Sequence, residues 1–154
     1  MRESLYTLLK AAFDGNPWYG DALMDQVSSL TPEQATSNPV PEKKSIWELL
    51  MHILAWRDFT IRKLDGDNDF EVELNSPEDF PALPEVNEAN WQALLQQLKD
   101  SQKALLERCE AISEEKLETT IPGRKYTYEH LLHGIVQHDC YHLGQIGMIK
   151  SLLK

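Results

Sequence analysis

Apolar residues recur at intervals of three and four along most of this 154-residue chain, and no other feature constrains its fold as much. Such spacing lines one face of a helix with 3.6 residues per turn. The period-2 alternation of a half-buried strand occurs only in FEVEL, Phe70 to Leu74. The pattern predicts an all-α protein. A first helix is expected over residues 2–13, with Leu5, Leu8 and Ala12 on one side, then a bend at DGNPW and a continuation over 19–30. Thr31 opens a capping box with proline at the first helical position, so a short helix follows. A second capping box, Ser45 to Glu48, starts a long helix that runs to residue 64. The third long helix is expected over 87–112, with Trp91, Leu94, Leu95, Leu98, Leu105, Cys109 and Ile112 as its stripe. Thr127 caps the last helix, which runs to residue 153. Four long striped helices in a chain of this length predict one domain, residues 1–154, built as a four-helix bundle. Two of the three links are long, which permits crossover connections instead of a simple up-down-up-down path.

Acidic residues outnumber basic ones, 25 to 15, for a net charge of -10. Such a surface repels phosphate backbones and argues against nucleic acid as a partner. No apolar run approaches the roughly 20 residues of a membrane span, and the N-terminal stretch lacks the apolar core of a signal peptide. Cys109 and Cys140 are too few for a disulfide framework, so a reducing, cytoplasmic setting is expected. The acidic stretch DGDNDFE puts Asp65, Asp67 and Asp69 at the first three ligand positions of a calcium loop. Phe70 then replaces the required glycine and Ser76 stands where glutamate belongs, so it reads as a solvated loop. Trp18, Trp47, Trp56 and Trp91 read as core residues, with the lining of a substrate cavity as the alternative for any one of them.

The last helix carries HGIVQHDCYHLGQIG, His133 to Gly147. With Ile135 at zero and 100° per residue, His142 falls at about -20° and His138 at about -60°, on or beside the apolar face. His130 and His133 fall on the opposite, solvent side. Two buried imidazoles need partners. Their i, i+4 spacing suits one divalent metal, and equally a polar network within the core. His52, on the helix over 45–64, is the third candidate. That helix is apolar on two sides, with Ile46, Leu50, Ile53, Leu54, Ile61 and Leu64 on one and His52, Ala55, Trp56 and Phe59 on the other. It therefore suits burial between the core and a partner subunit. Three inward histidines leave positions open on a metal, the pattern of catalytic sites. Zinc, nickel, iron and manganese all accept imidazole. Asp139, at about +40°, and Gln145, at about -80°, can orient a ligand ring or a bound water. Asp139 can equally be a buried acid paired with a base such as Arg57.

SIWELLMHILAWRDF, followed much later by TYEHLLHGIVQHDCYHLGQIGMIK, resembles the DinB/YfiT-like superfamily of metal-dependent proteins. The most specific part is HDxYHxGQI, His138 to Ile146; GNPWYGDAL, Gly15 to Leu23, fits as well. The resemblance spans nearly the whole chain. It implies an up-down-down-up four-helix bundle, often dimeric, and three histidine ligands that carry over onto His52, His138 and His142. Relatives include transferases and isomerases that use bacillithiol, mycothiol or glutathione. Many relatives carry a histidine after the tryptophan where this chain has Tyr19, which alters the lining of the implied pocket.

The leading expectation is thus a metal-dependent S-transferase that activates a low-molecular-weight thiol against a small-molecule electrophile. A small-molecule hydrolase is the alternative, since HDCYH has the form of HExxH with aspartate for glutamate. A homodimeric interaction protein with a structural or relic metal site is the non-enzymatic alternative. Cys140 points away from the core face and Cys109 lies in a helical stripe, so neither is expected to act as a nucleophile.

Overall fold

A computed structural model describes residues 2–153. The described residues form α-helices and no strand: α1 Arg2–Asp14, α2 Leu23–Val27, α3 Pro32–Thr36, α4 Ile46–Leu64, α5 Glu88–Ala111, α6 Glu114–Glu118 and α7 Tyr128–Leu152. The all-α expectation holds. Phe70 to Leu74 is irregular backbone, because no neighbouring strand is there to pair with it and the Phe70 carbonyl accepts instead from the Lys63 ammonium.

Local chemistry sets most helix starts. Thr31 and Ser45 each form complete capping boxes, with Gln34 and Glu48 reaching back to the cap amide. Asn87 and Thr127 cap α5 and α7 through their side chains. The expected continuation over 19–30 shrinks to α2, because Pro17 and Gly20, the latter at φ 132°, keep the preceding segment irregular. That segment carries Trp18 fully into solvent, contrary to the expectation of a core residue. The inner face of α1 is Leu5, Leu9, Ala12 and Phe13, while Leu8 is exposed, so the buried stripe is rotated from the expected one. The short α6, capped by Ser113, was not anticipated.

The four long helices pack as neighbours: α1 and α4 each lie against both α5 and α7. Between α4 and α5, Trp47 meets Trp91, Arg57 meets Gln102 and Asp65 meets Arg108, so their numbers rise together. Between α4 and α7, His52 meets His142 and Trp56 meets His138, so the numbers run oppositely. Between α1 and α5 they also run oppositely, with Leu9 against Gln102 and Arg2 against Cys109.

The core has two apolar halves. One gathers Trp47, Ile53, Trp91, Leu98, Leu143 and Ile146; the other gathers Leu5, Leu9, Leu105, Leu132 and Ile135. Along α4, α5 and α7, a polar layer of Arg57, Ser101, Gln102 and Asp139 falls between them, every member buried. The histidines sit at this level of the molecule.

Candidate metal centre

Helix α7 brings His138 and His142 to one side because they stand one turn apart, and α4 presents His52 from across the packing interface. One nitrogen from each imidazole lies within 4.8 Å of the other two. The Nε2 atoms of His52 and His138 are 3.0 Å apart. Ring centroids are separated by 4.9, 4.6 and 4.5 Å, with planes inclined at 41°, 82° and 71°, so the rings surround a common point instead of stacking. His52 and His142 are buried and His138 is partly so.

Two of the three rings are oriented from behind. His52 Nδ1 lies 2.8 Å from the Asp79 carboxylate and 3.0 Å from the Asp79 carbonyl, which fixes its hydrogen on Nδ1 and leaves Nε2 with its lone pair. Phe80 stacks on the same ring at 4.2 Å. His142 Nδ1 donates to Gln145 Oε1 at 2.7 Å, the orienting role expected of Gln145. Burial pushes His52 below its ordinary pKa and takes His142 down to about 4, which favours the neutral ring in both near neutral pH.

Asp139 is the buried acid paired with Arg57. Its Oδ2 accepts from Arg57 Nε at 3.0 Å and Nη2 at 2.6 Å. Its Oδ1 has no hydrogen-bond partner and faces His138 Nδ1, also without one, at 3.9 Å. Arg57 is held in turn by Gln102 Oε1 and Ser101 Oγ, so α5 helps set the position of a group beside the centre.

The family follows from a comparison with known families, whose DinB superfamily model matches residues 20–146. The chain belongs to the DinB superfamily. Comparison with curated proteins and with solved structures returns no match.

The donor set of this DinB-superfamily protein fits a divalent metal. Two nitrogens each about 2.0–2.1 Å from one ion stand roughly 3 Å apart, and the 3.0 Å between the Nε2 atoms of His52 and His138 agrees. Coordination through His138 Nε2 would place its hydrogen on Nδ1, on the side of the orphaned Asp139 Oδ1, 3.9 Å away and so outside direct hydrogen-bond reach.

Asp79 escaped the sequence reading. It lies in the link between α4 and α5, within a stretch, NSPED, with the look of a solvated turn. It is buried, takes the Trp56 indole hydrogen at 2.8 Å and the Asn75 amide at 2.8 Å, and no local pattern marks it. Tyr19 is half exposed, and burial, with Cys140 beside it, raises its phenol pKa well above the ordinary value. His130 and His133 stand outside the cluster, as expected.

Two cavities flank the triad. His142 and Gln145 open on one of about 350 Å³, whose rim carries Lys43 and Lys44. His138 opens on another of about 220 Å³, lined in part by aromatic rings.

Proposed function

We propose that this protein is a metal-dependent S-transferase, joining the sulfur of a low-molecular-weight thiol to an electrophilic carbon of a small molecule. The observation that carries the proposal is the convergence of three imidazoles, two of them each lining a cavity of its own. His52, His138 and His142 would hold one divalent transition metal, with zinc, nickel, iron and manganese all compatible with imidazole donors. A metal there supplies Lewis-acid chemistry that lowers the pKa of a bound thiol. Asp79 and Gln145 keep the Nδ1 hydrogens of His52 and His142 in place, and Asp139 faces His138. The partly buried rings of Phe80 and Trp56 pack against the imidazoles.

Hydrolysis ranks second. It would use Asp139 as the base in the HExxH manner, yet that carboxylate is buried and committed through Oδ2 to Arg57. Cys109 is disfavoured as a nucleophile: burial raises its thiol above the ordinary pKa, which disfavours the thiolate.

The reading includes an up-down-down-up four-helix bundle, which the parallel α4–α5 contacts and the antiparallel α4–α7 and α1–α5 contacts support. It also includes a homodimer, supported by an apolar groove of about 650 Å³ between α4 and α5 that exposes Met51, Leu54 and Ile61. The cytoplasmic setting rests on two unpaired cysteines. No helix among the described residues is long and apolar enough to cross a membrane.

The test is metal content by elemental mass spectrometry on protein purified without a histidine tag. Wild type should carry one transition metal per chain, and His142→Ala should lose it. Folded wild-type protein that stays metal-free after exposure to zinc, nickel and manganese would overturn the proposal.

A further inference from the structure

The cavity beside His138 differs from the one beside His142. Trp56, Phe59, Tyr126 and His130 line much of it, and Thr60, Leu131 and Ile135 share the wall. Trp56 and Phe59 meet edge-on with centroids 5.4 Å apart, and Tyr126 and His130 lie 5.5 Å apart at 35°. Aromatic faces and edges favour a flat π-system over a saturated ring of the same size. The volume of about 220 Å³ suits a single ring with a substituent, given that a cavity of about 150 Å³ accommodates benzene.

Gly134 forms part of the lining. It stands within α7, where glycine weakens a helix relative to alanine. A Cβ placed there would meet no heavy atom within 4 Å. Packing therefore does not require glycine at this position, and the space over it is open to a ligand. His138 is the one triad member that lines this cavity, whereas His142 lines the other.

We infer that the cavity between Trp56, Tyr126 and Gly134 is a binding site for a small planar aromatic or conjugated group, presented edge-on to His138. Its role as the subsite of the electrophile rests on the transferase reading; the binding itself does not. In that role the thiol sulfur forms a bond to a ring or conjugated carbon. The leaving group departs with the electron pair of its bond, and the thiol proton goes to solvent.

The probes are phenol and its saturated counterpart, cyclohexanol, titrated into nitrogen-15-labelled protein in metal-free and zinc-exposed forms. Phenol should shift the Gly134 amide and Trp56 indole signals and bind at least about ten-fold more tightly than cyclohexanol. Gly134→Leu should weaken phenol at least ten-fold while leaving zinc uptake unchanged. Tyr126→Ala provides the same test if the leucine variant does not fold. Equal binding of the two probes, or phenol binding unchanged in both variants, would overturn the inference. Phenol binding without zinc uptake would leave the cavity assignment standing and remove the transferase reading. Zinc uptake without phenol binding would do the reverse.

Discussion

Arg57 and Asp139 are the pair on which the centre of the molecule depends. Both are buried, and the ion pair is reinforced by Gln102, Ser101 and the face of Phe13, 4.7 Å from the guanidinium carbon. Removing one partner from such a pair strands a charge in the interior, a loss of about 3–5 kcal/mol, whereas replacing both by apolar groups is far milder. Arg57→Met should therefore lower the stability of the metal-free protein by about that amount in urea unfolding, and Arg57→Met combined with Asp139→Leu should recover most of it. Additive losses would mean that the pair is not coupled. Asp139 was legible as a candidate because helical geometry put it beside the apolar face. Arg57 was legible only as a possible partner, because which base reaches an acid is decided by packing between helices. Trp18 shows the same limit from the other side: its composition argues for burial, but it follows Pro17 in a segment that no helix covers, and it is fully exposed.

At the scale of elements, the link after α4 is organised by the helix that precedes it. Gly66, at φ 88°, lets the Asp67 amide return to the Arg62 carbonyl at 2.9 Å and the Gly66 amide to Lys63 at 3.2 Å, closing α4 in a Schellman motif. The chain then wraps around Lys63, whose buried ammonium donates to the carbonyls of Asp67 at 3.2 Å, Asn68 at 2.8 Å and Phe70. The resemblance to a calcium loop ends here for a physical reason: backbone oxygens that could face a cation already face one supplied by the protein. Lys63→Met should leave those carbonyls without their donor, destabilise the protein by about 1–3 kcal/mol, and speed amide exchange over residues 67–71. Exchange unchanged there would show that the ammonium does not hold the link. Because Asp79 lies further along this link and orients His52, its order bears directly on the candidate centre.

At the scale of the whole molecule, the side of α4 that carries His52 is packed within the chain. His52, Trp56 and Phe59 are covered by α7 and by the link carrying Asp79 and Phe80. The half-exposed Met51, Leu54 and Ile61 are left along the groove between α4 and α5. Pairing of two copies through this groove should appear as a dimer in sedimentation equilibrium, and Leu54→Asp should shift it to monomer, since a buried unpaired charge is strongly disfavoured. A monomeric wild type would remove the dimer from the proposal. The sequence by itself determined what short-range geometry controls: the helical class, the capped starts of α3, α4 and α7, and the placing of His138 and His142 one turn apart toward the core. Backbone periodicity and caps act within a few residues, so they are written locally. The tertiary structure decided the rest: that His52 meets that pair across α4 and α7, that Asp79 arrives from an irregular link to fix its tautomer, and that Gly134 faces open space among four rings. Each depends on which surfaces come together when apolar area is buried, and that is a property of the packed chain as a whole.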